Sequence, residues 1–205
     1  MYVVIGANGF LGSYIIKSIL DKTNDKIIAV GRNVREVHNE SRVTWMKCDI
    51  SDISDVQNLA DKMKNGDSHN VIYLAAYHHP DMVEQNPKTA WNINVTSLAA
   101  FLNLIDNVRC LFYPSTDSVY GDSDNNYHFK ESDKLNPVNR YGKHKVAAEC
   151  LINAYGYNVV RYPFLIAPSL TNGKKHFYDQ IVNSITQGRK MEMFVDSMRS
   201  SLDFG

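Results

Sequence analysis

Gly6, Gly9 and Gly12 recur at every third position between a β-branched run, Tyr2–Ile5, and a segment of helical periodicity that begins at about residue 11. A chain that leaves a strand, turns on glycines and enters a helix at once has few folds open to it. Glycines let the backbone approach a ligand closely, and the helix N-terminus adds unpaired N–H groups and a partial positive charge. Glycines that merely make a turn are the alternative, and the first pair is spaced by two residues, not one. The strand before and the helix after favour a pyrophosphate cradle, with Asn8, Phe10 and Leu11 sharing the loop as candidate dinucleotide contacts.

The rest of the chain has the same rhythm. Strand candidates are Tyr2–Ile5, Lys26–Val30, Val43–Lys47, Val71–Ala75, Arg109–Tyr113 and Asn158–Tyr162, and helix candidates lie at about 11–21, 52–64, 87–106 and 141–155. Several strands are continuous apolar runs, as expected where helices cover both sheet faces. The pattern predicts an α/β fold, a doubly wound parallel sheet of the Rossmann type. Residues Gly121 to Asn139 read as a long loop over one end of the sheet. After Pro163 come a loop, a helix at about 174–187, a short strand at Glu192–Val195 and a polar ending from Ser197 to Gly205.

Composition excludes several functions. The 205 residues, 44% hydrophobic, supply one ordinary domain and leave no room for two full-sized ones. Lys plus Arg and Asp plus Glu number 22 each, so no positive excess exists to hold a nucleic acid or an anionic bilayer. The longest apolar run, Val71 to Tyr77, is far short of the roughly 20 residues of a spanning helix. The N-terminus has no basic leader and reads as mature structure. Cys48, Cys110 and Cys150 form no C-x-x-C pair, which argues against a disulfide framework or zinc site and for a reducing cytoplasm. His78, His79 and Asp81 read as a substrate-lining loop, since adjacent histidines share no helix face and no further ligand is evident; no metal is expected.

Two regions select the cofactor and the chemistry. The second strand ends in Val30-Gly31-Arg32-Asn33, where a site selective for NAD would carry an acid against the ribose hydroxyls. Arg32 suits a 2′-phosphate instead, which points to NADP(H), with NAD(H) as the alternative. Asp49 and Ile50 are placed either to hydrogen-bond and pack against an adenine or to cap the next helix. Tyr141 and Lys145 stand at i and i+4, so both project from one helix face. The strand Arg109–Tyr113 runs into Pro114-Ser115-Thr116-Asp117-Ser118, which sets a hydroxyl at a strand's C-terminal end, where open α/β sheets build their sites.

With these pieces in order, the sequence resembles the extended short-chain dehydrogenase/reductases of the NAD(P)-dependent epimerase/dehydratase type, which act on nucleotide-activated sugars. The resemblance rests on GANGFLG at 6–12, DI at 49–50, YLAA at 73–76, NINVTSLAAFL at 92–102, STDSVYG at 115–121, NPVNRYGKHKVAAE at 136–149 and NVVRYPF at 158–164. Within the family, YGKHKVAAE and the S-T-D start look most like the dTDP-dehydrorhamnose reductases and related ketoreductases.

The resemblance implies that Tyr141 donates a proton to the substrate oxygen, that Lys145 lowers the tyrosine's pKa and holds the nicotinamide ribose, and that Thr116 hydrogen-bonds the same oxygen. Bringing a tyrosine from about 10 to near 7 takes about 4 kcal/mol of selective phenolate stabilisation. Asn94 matches the family asparagine behind the site, Leu74, Ala75 and Ala76 line the cofactor, and Asp117, Ser118 and Tyr120 face the substrate together with His78 and His79. Family dehydratases carry adjacent Asp and Glu after the threonine; Ser118 in the second position leaves reductase first and NAD-dependent epimerase second. A non-catalytic dinucleotide-binding regulatory or assembly subunit is the reading from another class.

Residues 1–165 then form the NAD(P)-binding domain with the catalytic groups, and 166–205 the start of a substrate-binding region that reads as truncated. The expected partner is a small nucleotide sugar, and the sequence admits a homodimer without requiring one.

Overall fold

The computed structural model describes residues 1–34, 40–64, 68–123, 127–171, 175–192 and 200–203. In chain order the elements are β1 (Tyr2–Ile5), α1 (Phe10–Lys22), β2 (Ile27–Gly31), β3 (Val43–Lys47), α2 (Ile53–Lys64), β4 (His69–Tyr73), α3 (Pro80–Gln85) and α4 (Pro87–Trp91). A π-helical turn, Asn92–Thr96, leads into α5 (Ser97–Leu104), followed by β5 (Val108–Thr116) and a 3₁₀ turn, Asp117–Val119. The chain continues through α6 (Arg140–Ala154), β6 (Asn158–Tyr162), β7 (Phe164–Ile166), α7 (Phe177–Thr186) and β8 (Ser201–Asp203).

Strands β1 to β6 form one parallel sheet in the order β3-β2-β1-β4-β5-β6. Alternation along the strands explains why both faces need cover. Val3, Ile5, Ile28, Val30, Val71 and Tyr73 pack into a core with α2, α5 and α6, while Val4, Ile27 and Ala29 point the other way onto Ile19 of α1. Strand order reverses between β1 and β4, so the loops that follow these neighbours splay apart and leave a crevice at the C-terminal edge.

Several expected boundaries move, each for a local reason. Strand β4 starts at His69, not Val71, because the His69 ring is buried against the Met63 carbonyl (Nε2 to O, 2.8 Å), so a polar residue opens the strand. It ends at Tyr73, the partner of Ile5, where β1 also stops. Strand β5 runs three residues past Tyr113, since Pro114, Ser115 and Thr116 pair with Val160, Arg161 and Tyr162.

The helix expected over 87–106 runs from Pro87 to Leu104 with a π turn at Asn92–Thr96 inside it, and a short helix that the sequence reading lacked, α3, starts at Pro80. Residues 200–203, read from sequence as part of a polar ending, include β8, which pairs in parallel with β7 as a separate two-stranded sheet. Of the strand expected over Glu192–Val195, Glu192 has no regular structure and the remainder lies outside the described residues. No helix among the described residues is long and apolar enough to cross a membrane.

Candidate functional site

The glycine loop leaves β1 with Gly6 at φ +84°, a conformation L side chains rarely adopt. A Cβ there would stand 2.8 Å from the Ala75 nitrogen, and one on Gly12 would stand 2.7 Å from the Gly6 carbonyl oxygen. The turn therefore packs directly against the segment after β4 and against the start of α1. Helix α1 has Gly9 at its N-cap with no side-chain hydrogen bond to cover its first N–H groups. An uncapped helix start behind a turn too tight for side chains fits a dinucleotide pyrophosphate. Leu74 is fixed beside it, its N–H donating to the Ile5 carbonyl (2.8 Å).

Further along the same edge, Arg32 is exposed at the end of β2, and its charge helps hold the Asp49 carboxyl below the ordinary range, after the larger effect of the Ser51 hydroxyl and N–H that donate to it. Asp49 thus forms a tight turn before α2, with its own N–H donating to Asp55 (2.8 Å), and Ile50 is buried in the core below. At the start of α2 it is Asp52 that accepts from the Ser54 N–H and hydroxyl.

The catalytic candidates converge through α6. Asn139 caps the helix by accepting from the Gly142 N–H (2.8 Å), and Gly142 lets the helix approach the Ser118 carbonyl so closely that a Cβ would stand 2.6 Å from it. That contact brings Tyr141 to the 3₁₀ turn after β5. Here Thr116 donates to the Asp117 carboxylate (3.1 Å) and accepts from the Ser118 N–H (3.2 Å). Thr116, Asp117, Ser118, Tyr120 and Tyr141 share one cleft of about 1870 Å³ with His78 and His79, while the glycine loop is no part of its wall.

Lys145 lies below the cleft, 4% exposed. Its ammonium donates to the Pro114 carbonyl (2.6 Å) and to the Tyr113 hydroxyl (3.0 Å). Burial lowers its pKa to about 7 from 10.5, with Glu149 opposing the shift. Tyr141 moves the other way. Burial, then the Asp117 carboxylate, pushes it up to about 12. The Lys145 ammonium is turned to Tyr113 and Pro114, and the direction of the Tyr141 shift is set by burial and Asp117.

Asn94 sits in the π turn and holds both ends of one residue: the Tyr77 N–H donates to its Oδ1 (2.7 Å), and its Nδ2 donates to the Tyr77 carbonyl (3.0 Å). This clamp fixes the chain just before His78 and His79. Tyr120 reaches the cleft but its hydroxyl accepts from Arg161 (2.9 Å) and its ring stacks on Phe129, so it ties the loop after β5 to β6. Arg161 also pairs with buried Glu149 (2.7 Å).

Sequence reasoning missed Tyr113 as the seat of Lys145, His144 beside Asn94 (3.4 Å) and the docking of the C-terminal segment on α1, where the Tyr14 hydroxyl donates to the Pro168 carbonyl (2.6 Å) and the His176 ring packs 4.2 Å from Phe10. Tyr113, in the strand that delivers Thr116, carried a readable signal; the others depend on contacts far apart in sequence.

Comparison with known proteins places the chain. A methionine adenosyltransferase 2 subunit beta from Danio rerio is 31% identical over 166 residues, covering 80% of this chain and 47% of that protein. A dTDP-glucose 4,6-dehydratase from Haemophilus influenzae is 27% identical over 190 residues, covering 83% of this chain and 55% of that protein. The chain thus spans about half the length of the curated relatives it matches. Its fold is shared with a UDP-glucuronic acid 4-epimerase from Bacillus cereus, solved with UDP-glucuronic acid and NAD, at a TM-score of 0.81 and 18% identity over 99% of this chain and 69% of that one. Residues 2–205 match the family described as "NAD dependent epimerase/dehydratase family", and the chain belongs to it.

Proposed function

We propose that this chain carries the cofactor-binding and catalytic part of an NADP(H)-dependent oxidoreductase that reduces a keto group on a nucleotide-activated sugar. The observation that carries this reading is the meeting of Tyr141 and Thr116 in the cleft above buried Lys145, at the sheet edge that also bears the glycine loop. The loop, Arg32 and Leu74 to Ala76 would hold the dinucleotide, and the bound group would supply hydride.

The chain's own groups supply orientation and a proton. Thr116 presents a hydroxyl to a carbonyl oxygen, and Tyr141, pushed up to about 12, is protonated at neutral pH and suited to donate rather than accept. The residue after Asp117 is Ser118, so the 3₁₀ turn carries a hydroxyl where a dehydratase would carry a second acid. Arg32 supports a 2′-phosphate as an exposed guanidinium, which can pair with its oxygens. Residues 166–205 would begin a substrate-binding region, and the cysteines, all free thiols, suit a reducing cytoplasm.

Two other readings have specific support. The solved relatives with UDP-sugars and NAD favour an NAD-dependent epimerase. The likeness to a methionine adenosyltransferase subunit favours a dinucleotide-binding regulatory or assembly subunit. The discriminating experiment follows NADPH and NADH oxidation with a panel of nucleotide-linked keto sugars, alongside epimer formation, for the wild type and Tyr141→Phe. Oxidation of NADPH that the variant loses supports the proposal. Epimer formation without net oxidation supports the second reading, and cofactor binding with neither reaction supports the third.

A further inference from the structure

We propose that Tyr113 is the positioning residue for Lys145, its hydroxyl and ring together forming a seat that fixes the ammonium at the C-terminal end of β5. The Lys145 nitrogen lies 3.0 Å from the Tyr113 oxygen and 4.2 Å from the centre of its ring, so one side chain contacts the cation as hydrogen-bond acceptor and as aromatic face. The Pro114 carbonyl takes a second N–H at 2.6 Å.

The seat is rigid. Tyr113 is buried in the central part of the sheet, its ring against Tyr73, which in turn packs on Phe101. The lysine stem alone, with four rotatable bonds, would not hold one position. Since the strand that carries Tyr113 also ends in Thr116, the ammonium and the substrate-facing hydroxyl are registered by the same backbone.

Around the ammonium, Glu149 of α6 favours its charge and His78 of the loop after β4 feels it, while Tyr141 of α6 and Tyr73 of β4 act on Tyr113 of β5, and Asp117 acts on Tyr141. Of these, Tyr113 alone donates no charge yet touches the ammonium directly. Burial opposes the charged lysine, and the Tyr113 oxygen is one of two acceptors that offset it.

The inference deepens the reading of Lys145 given above, and its test needs neither cofactor nor substrate. NMR titration of isotope-labelled lysine side chains, with Lys145 assigned by its loss in Lys145→Met, gives its pKa directly. Removing one hydrogen bond to an ion in Tyr113→Phe lowers that pKa by about one unit, and Tyr113→Leu, which also removes the ring, lowers it further. Thermal melting of Tyr113→Phe close to wild type separates this from a packing defect, and the alkaline limb of any turnover profile moves acidward by the same amount. An unchanged or raised Lys145 pKa in Tyr113→Phe overturns the proposal. Failure of the ketoreductase reading leaves this titration untouched, and a failed titration leaves that reading standing.

Discussion

Replacing Gly12 by alanine separates a tight backbone cradle from an ordinary turn. The new Cβ would stand 2.7 Å from the Gly6 carbonyl oxygen and 2.8 Å from that of Ala7, well inside the 3.4 Å at which ordinary contact begins, and both neighbours are backbone. Relief requires α1 to move off the loop or the loop to open, a strain of about 1–3 kcal/mol by comparison with overpacked interiors. The pyrophosphate position lies where that movement occurs, so the same strain weakens dinucleotide binding by roughly ten- to a hundredfold. Fluorescence titration with NADPH and NADH, beside thermal unfolding, measures both effects. Gly156→Ala is the control: Gly156 has φ +74° but nothing within 4 Å of its Cβ position, so it loses about 1 kcal/mol of stability and no affinity. A folded Gly12→Ala protein that binds the dinucleotide as tightly as wild type refutes the cradle argument.

Other perturbations test other parts. Lys145 has a folded pKa of about 7 against 10.5, so over that window the unfolded chain holds a proton that the folded chain lacks, and stability rises with pH; below it the burial penalty is fully present. Lys145→Met removes this rise, and urea unfolding should show wild type gaining about 2 kcal/mol relative to the variant between about pH 7 and about pH 9. Glu149→Ala leaves Arg161 without its carboxylate and should cost about 3 kcal/mol, the low end for a broken buried pair because Arg161 keeps some contact with water; chemical denaturation measures it. Arg32→Asp should move the ratio of NADPH to NADH affinity toward NADH by at least about tenfold, and an unchanged ratio refutes the role given to Arg32.

The sheet was legible where a strand's own residues carried the signal. Tyr2–Ile5, Val43–Lys47 and Asn158–Tyr162 have the expected bounds because each is β-branched or aromatic and ends at a turn. His69 hid the start of β4, since a buried histidine bonded to a helix carbonyl looks like a loop residue in sequence. The π turn at Asn92–Thr96 hid for a different reason: one inserted residue leaves the 3.6-residue period of its flanks nearly intact. Strands β7 and β8 owe their structure to each other across some 35 residues of chain.

The site followed the same division. The Tyr141 and Lys145 spacing and the position of Thr116 could be read from local pattern. The direction of the Lys145 ammonium and the burial that raises the Tyr141 pKa both depended on how β5 packs against α6, which no local pattern contains.

The central claim is that Tyr141 delivers the proton in a reduction supported by the bound dinucleotide. The direct measurement is NADPH consumption with nucleotide-linked keto sugars by wild type and Tyr141→Phe, with dinucleotide affinity determined for both. Loss of one general acid predicts turnover reduced by about a hundredfold or more in the variant, with affinity unchanged. Equal turnover in the two proteins, or tight dinucleotide binding by a wild type that consumes neither cofactor, would contradict it.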